Sequence, residues 1–290
     1  MAVGFLPYGL PSCKFERIAD IKLTDLNWPL GESPTQGVVG ELTAKDHVIM
    51  CVSSRALLVN RSGLRCRLSL ALFEPPAIHG RYYHLLPYIS HKFHRIFTYN
   101  TSLLSRIPNA RFQAHGGCLL DLPVDYDKKS QRISMIASKK RKTTGHRLRH
   151  RLADWSRQTG MDLKLLGRGY CPLERKSDGL VPYRYSVVIE NCREQGYFTE
   201  KLIDSLLCFC LPIYWGPPDV SHFFDPRGLI LCSNEAELRE AIERADIKEY
   251  ETRLPFLLDN WRRAKEYLDP RRTMAEYLAD EDRLTSLYAA

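Results

Sequence analysis

The sequence predicts an α/β fold built on parallel sheets, and three observations lead there. The stretch from Tyr183 to Gly216, YRYSVVIENCREQGYFTEKLIDSLLCFCLPIYWG, reads as strand, loop, helix, strand. Its two apolar runs, YSVVI and LPIYW, alternate little and are rich in β-branched and aromatic residues, the pattern of strands buried on both faces. Further strand runs recur as HVIMCVS, the alternating CRLSLALFE, and QRISMIAS, separated by polar or helical segments. A chain of 290 residues, 44% hydrophobic and 26% charged, is long and apolar enough for two domains with a core each.

In the first half, IADIKLTDLNWPL is a mixed segment closed by Trp28-Pro29, and Gly31 to Gly40 is a loop. HVIMCVS is a buried strand, and SSRALLVNRSG holds a short helix. CRLSLALFE is a strand ending at Glu74, which the stiff Pro75-Pro76 turn presents. His79, His84, His91 and His94 follow among aromatic residues. Their spacing is not that of a metal-binding helix and no carboxylate accompanies them before Asp121, so core and interface histidines are expected.

QRISMIAS opens the second half. GHRLRHRLADWSRQTG is a helix with Leu148, Leu152 and Trp155 on one face and Gly160 as its stop. MDLKLLGRG is the next strand and turn. Thr199 caps a helix whose Leu202, Ile203, Leu206 and Leu207 share a face; Pro212 is expected to break that helix, and LPIYW is the strand that follows. HFFDPRGLILCSNEAELREAIERA gives a short strand and a helix. From Ile247 the chain is helical, with breaks expected at Pro255 and Pro270. The expected division is an acceptor-side domain over 1–127, a donor-binding domain over 128–262, and a helical segment over 263–290 that packs back on the first domain.

The polar residues of the 183–216 unit fall where a strand end meets a helix start, the place where doubly wound folds bind ligands. Lys201 lies in a first helical turn, beside free backbone N–H groups and the positive end of the dipole, which favours an anion such as a phosphate. Glu200 cannot bind phosphate, but it can accept two hydrogen bonds from a ribose diol. For an isolated TEK tripeptide, a dipole residue beside a solvated charge is the simpler account.

The longer string changes that balance. EN-x5-Y-x-TEK-L-I-D, followed by P-I-Y-W-G, resembles the donor-binding core of the α-1,3-fucosyltransferases, glycosyltransferase family 10, in their bacterial form. The resemblance implies an inverting transferase that uses GDP-fucose and has a GT-B fold, two Rossmann-like domains facing a cleft. It implies that Asn191 and Tyr197 line the nucleotide pocket, that Glu200 holds the ribose and that Lys201 holds the diphosphate. The family's diphosphate-binding arginine corresponds to Arg149, with Arg147 a close competitor. Glu74 corresponds to its general base, although in LFEPP a proline stands where the family has serine. The chemistry calls for a carboxylate there, because an acceptor hydroxyl is a poor nucleophile until its proton is taken in the transition state. The implied acceptor is a glycan or a lipid-linked oligosaccharide. Protein cations alone can hold a diphosphate, so no obligatory cofactor or metal is expected. Asp125-Tyr126-Asp127 has the form of the DxD motif of GT-A transferases and would be the metal site only in that other fold. The long heptad-repeat and basic tail of some bacterial fucosyltransferases is not recognisable in the final residues, which removes one basis for tail-driven dimerisation or membrane docking.

Composition sets the remaining expectations. Nine cysteines, an odd number without a CxxC pair, fit reduced thiols in a cytoplasmic protein, and Cys208-x-Cys210, read as helical, is unsuited to zinc. MAVGFLPYGLPSCKFE lacks the basic start and sustained apolar core of a signal peptide, and no apolar run approaches the ~20 residues that span a bilayer. The net charge is +8, with a basic block over 139–151 and no acid from Lys128 to Arg151. Such a block suits phosphate-bearing partners: a nucleotide-sugar, a lipid-linked acceptor at the inner membrane face, or nucleic acid. Two alternatives therefore stand beside the main reading. One is a transferase with a different nucleotide-sugar. The other is a non-catalytic polyanion-binding protein built on the basic block, which leaves the EN…TEK…PIYWG array without a purpose; no nucleic-acid partner is expected.

Overall fold

The structure, a computed structural model, describes residues 1–13, 15–123 and 129–288, with side chains through residue 283. It forms two compact units, Met1–Gln113 with Pro270–Ala290, and Ala114–Asp269. Each is an α/β unit on a five-stranded, fully parallel sheet.

In the first unit the strands lie in chain order: β1 (Val3–Leu6), β2 (His47–Cys51), β3 (Arg67–Leu72), β4 (Ile96–Thr98) and β5 (Ala110–Phe112). The helices between them are α1 (Ser54–Leu57), α2 (Pro76–Ile89) and α3 (Thr101–Arg106), and the chain returns at its end as α8 (Pro270–Tyr288). Alternation along the strands decides what each face buries. Val48, Met50, Leu68, Leu70 and Ile96 pack with Tyr82, Tyr83 and Leu86 of α2. Val3, Phe5, Ile49, Ala71 and Phe97 pack with Met274, Ala275 and Leu278 of α8. Ion pairs then pin the far end of α8. Glu281 pairs with Arg95 and, at 3.1 Å, with His94 Nε2, while Asp282 pairs with Arg67 Nη1 at 2.5 Å and His47 Nε2 at 3.3 Å.

The second unit contains β6 (Gln131–Ile136), α4 (Thr144–Thr159), β7 (Lys164–Leu166), β8 (Tyr183–Ile189), α5 (Glu200–Leu207), β9 (Leu211–Trp215), β10 (Ile230–Leu231), α6 (Glu235–Arg244) and α7 (Ile247–Ala264). Its strand order is β10-β9-β8-β6-β7. The chain thus leaves β6 toward one edge and comes back on its other side at β8, which makes the β6/β8 boundary a topological switch point. Leu148, Leu152 and Trp155 of α4 and Leu202, Ile203, Leu206 and Leu207 of α5 form the core with Ile133, Met135, Val187 and Ile213. Gly160, at φ 68°, closes α4 in the left-handed conformation that glycine adopts without strain.

Three sequence expectations need correction. Pro255 does not break the helix: α7 runs through it. The hydrogen bond it forfeits would be accepted by the carbonyl of Glu251, an exposed residue that water can serve, and Tyr250, Leu257, Asn260 and Ala264 stay buried around it. Cys208 and Cys210 are not helical, since α5 ends at Leu207 and Phe209 turns the chain at φ 52°. Of the four histidines, His84 and His91 are exposed, His94 is tied to Glu281, and His79 sits edge-on to Tyr82 at a kink in α2. Pro270, by contrast, does mark a helix boundary and occupies the first position of α8.

Candidate functional site

The site is built where β8 ends. Beyond Ile189 the chain turns at Glu190 and Asn191, and the start of α4 lies directly against that turn. A Cβ on Gly145 would come within 1.7 Å of the Glu190 carbonyl oxygen, and the Gly145 N–H donates to the Asn191 carbonyl at 3.2 Å. Only glycine permits this approach. Thr143 caps the helix by accepting from the N–H of His146.

One turn further along α4, Arg149 is buried and reaches the same strand end. Its Nε donates to the Ile189 carbonyl at 3.0 Å, and Nη2 donates to that oxygen and to Asn191 Oδ1 at 3.2 Å. The second terminal nitrogen, Nη1, makes no hydrogen bond among the described residues. Burial lowers the pKa of the guanidinium, and the Glu190 and Glu200 carboxylates oppose that shift. Asn191 Nδ2 donates to the hydroxyl of the buried Tyr197 at 3.3 Å.

Thr199 begins α5 by accepting the N–H of Lys201, which places Glu200 and Lys201 in the first turn. Lys201 Nζ donates to Thr199 Oγ1 and to Glu200 Oε1, each at 3.0 Å. Burial tends to raise the Glu200 carboxyl, but Lys201, Lys176 and His115 outweigh it and hold the group down to about 2. Glu200 is therefore ionised and purely an acceptor at any working pH. Burial, followed by the positive charges of Arg149, Lys140 and Lys201, pushes His146 down to about 4, so it is neutral there. The cluster thus combines one accessible carboxylate with concentrated positive potential, the requirements of a diol carrying a diphosphate.

Of the residues singled out from sequence, Arg149, Asn191, Tyr197, Glu200 and Lys201 converge here. Arg147 does not: it is exposed and donates to the Lys142 carbonyl at 3.0 Å and to Thr144 Oγ1 at 3.4 Å. Glu74 belongs to the first unit, two residues beyond β3 and just before α2. Tyr83 Oη donates to its carbonyl at 2.9 Å, and its buried Oε2 has no hydrogen-bond partner among the described residues. Asp125, Tyr126 and Asp127 lie outside the described residues, and no group of three potential metal ligands occurs among the described ones. In the basic block, Lys139, Lys140, Arg141, Lys142, Arg147 and Arg151 are exposed, whereas His146, Arg149 and His150 face inward.

Sequence reading missed two contributors. The His115-Gly116-Gly117 loop runs beside Phe198–Glu200: the Gly116 N–H donates to the Phe198 carbonyl at 3.1 Å, and a Cβ on Gly117 would lie 4.0 Å from that of Glu200. The paired glycines, at φ 49° and 89°, were its only signal. The other is Glu190, a fully buried carboxylate that reads in sequence as a strand-end residue.

No family model matches the chain. Among solved structures it resembles a variant of TarM from S. aureus with a TM-score of 0.54 at 9% identity, over 82% of this chain and 55% of that one. It also resembles the pneumococcal O-GlcNAc transferase GtfA, solved with UDP and GlcNAc, with a TM-score of 0.51 at 13% identity, over 82% and 57%. Two helix-flanked parallel sheets, one in each unit, are the make-up of a GT-B-type two-domain fold. In sequence, the chain is 34% identical over 71 residues to the alpha-(1,3)-fucosyltransferase FucT of Helicobacter pylori. That stretch is 24% of this chain and spans only 15% of FucT.

Proposed function

We propose that the chain is a glycosyltransferase that moves fucose from GDP-fucose to a hydroxyl of a glycan or lipid-linked oligosaccharide, with inversion. The observation that carries this reading is the convergence of Arg149, Lys201 and the ionised Glu200 at the switch-point end of a parallel sheet. Glu200 accepts from the ribose diol, Asn191 and Tyr197 line the nucleotide pocket, and Lys201 with Arg149 Nη1 takes the diphosphate. Glu74 removes the acceptor proton while the acceptor oxygen bonds to the anomeric carbon and the bond from that carbon to the phosphate oxygen breaks. GDP departs with the electron pair, and the two cations stabilise its growing charge. The sequence similarity to FucT, an alpha-(1,3)-fucosyltransferase, supports fucose over other sugars. Since protein cations suffice for the diphosphate, activity is expected to survive EDTA; complete loss restored by manganese would bring Asp125 and Asp127 into the site. Among the described residues no helix is long and apolar enough to cross a membrane. Cytoplasmic action, with contact to a membrane-borne acceptor, fits this proposal.

The test is calorimetric titration with GDP, UDP and CMP, then with GDP-fucose against GDP-mannose. Selective GDP binding that disappears in Lys201→Ala supports the assignment. Equal affinity for all three nucleotides overturns the guanine assignment, and binding of none of them overturns the donor site.

A further inference from the structure

We infer that Glu190 is the positioning residue of the donor site: it orients the Thr199 hydroxyl, and through it the ammonium of Lys201. The inference rests on the donor-site reading above but adds a residue that touches no ligand.

Glu190 is 0% exposed, and both its oxygens are spent on one neighbour. Oε1 accepts the Thr199 N–H at 2.9 Å, and Oε2 accepts the Thr199 hydroxyl at 2.8 Å. A hydroxyl has a single proton. With that proton committed to a carboxylate that cannot donate, the lone pairs of Thr199 Oγ1 face the opposite way. There they meet two donors of the next residue but one, the Lys201 N–H at 3.3 Å and the Lys201 Nζ at 3.0 Å. Glu190 Oε2 itself lies 3.8 Å from Nζ. The carboxylate therefore acts on Lys201 in two ways with opposite consequences for an anionic ligand. As a hydrogen-bond acceptor it sets the hydroxyl that aims the ammonium. As a negative charge it competes with a diphosphate for that same ammonium.

Glu190→Gln separates the two. The side chain keeps its shape and loses its charge. Its amide oxygen must face the Thr199 N–H, so its NH2 group faces Oγ1 and donates to it. The Thr199 proton then turns toward Lys201, where both groups are donors and one contact is lost. If Glu190 were only a counter-charge, removing it would tighten binding of a diphosphate. If it is the positioning residue, the same change weakens binding, so the sign of the effect decides.

The experiment is calorimetric titration of GDP into wild type, Glu190→Gln, Thr199→Ala, Thr199→Ser and the Glu190→Gln/Thr199→Ala double variant. Glu190→Gln and Thr199→Ala are each expected to weaken GDP about tenfold, which is about 1.4 kcal/mol. The double variant should be no weaker than either single one, because both act through one hydroxyl. Thr199→Ser, which keeps that hydroxyl, should restore affinity to within about twofold of wild type. Unchanged or tighter GDP binding by Glu190→Gln overturns the inference. Should Glu190→Gln not fold, Thr199→Ala decides: affinity equal to wild type overturns it as well. If wild type binds neither GDP nor UDP, the donor-site reading is what fails. The positioning claim is then read from amide hydrogen exchange at residues 200–202, which should quicken in Thr199→Ala and return toward wild type in Thr199→Ser. Exchange unchanged in Thr199→Ala overturns it.

Discussion

Replacing Gly145 by alanine sets local and tertiary physics against each other. By helix propensity alone, alanine is better than glycine by about 1 kcal/mol. In the folded unit, however, the new Cβ would sit 1.7 Å from the Glu190 oxygen and 2.8 Å from the Glu190 carbonyl carbon, both backbone atoms. Real Cβ contacts essentially never fall below 3.0 Å, so α4 and the end of β8 must separate by about 1.3 Å. That movement breaks the 3.2 Å bond from Gly145 N–H to Asn191 and loosens the grip of Arg149 on the Ile189 carbonyl. Overpacking of this kind costs about 1–3 kcal/mol and the lost hydrogen bond roughly 1 more. After the propensity gain, a net destabilisation of about 2 kcal/mol remains, which lowers Tm by roughly 4–8 °C for a unit of about 150 residues. Scanning calorimetry measures the shift, and GDP titration should show weaker binding in the same variant. A Tm equal to or above that of wild type would show that α4 does not press on the strand end, and the account of how Arg149 is placed would fall with it.

Lys201→Ala should weaken GDP binding at least tenfold, as loss of a charge-assisted contact requires, while moving Tm by no more than about 2 °C; full affinity would remove Lys201 from the site. Glu74→Gln should leave GDP affinity unchanged and abolish fucose transfer in a radiolabel assay, and retained turnover would send the search for the base elsewhere. Lys176→Ala strips the cationic partner, at 2.6 Å, from Asp204, a 0% exposed carboxylate left with the Leu119 N–H at 3.1 Å, and should cost about 3 kcal/mol at pH 7 in urea titration. Burial, the leading influence, already raises the Asp204 pKa. The folded variant therefore binds the extra proton and should recover stability as pH falls toward 5; a flat profile would exclude Asp204 as the cause. The opposite slope is expected where α8 is pinned. Burial lowers His47 and His94, while Arg95, Arg67 and the histidines outweigh burial to lower Glu281 and Asp282. For all four groups the unfolded chain takes up protons first, so stability should fall as pH drops below about 6.5, and further below about 4.5. His47→Gln should flatten the upper part of that decline, and an unchanged curve would clear His47.

The elements best read from sequence are those whose pattern is local. YSVVI and LPIYW are buried strands because they are apolar throughout, and the Leu148, Leu152 and Trp155 face of α4 is set by helical spacing alone. The N-cap at Thr199 and the stop at Gly160 follow from the chemistry of single residues. The misreadings have equally physical causes. Pro255 predicts a break because its missing N–H counts locally, yet the carbonyl it leaves unpaired belongs to an exposed residue and costs little. Val3–Leu6 carried no strand signal of its own beyond a short apolar run and becomes β1 through pairing with His47–Met50, more than forty residues away.

The site divides in the same way. The sequence by itself determined the parallel α/β class, the strand–loop–helix that carries Asn191, Tyr197, Glu200 and Lys201, and the pairing of a carboxylate with an ammonium in a first helical turn. The tertiary structure separates Arg149 from Arg147: only Arg149 lies on the face of α4 that meets the end of β8. It also sets Glu190 beside Thr199 and Lys201. A strand-end glutamate in sequence can point to water or to the interior. It is the closure of α5 onto β8, a contact between elements, that buries this carboxylate against Thr199.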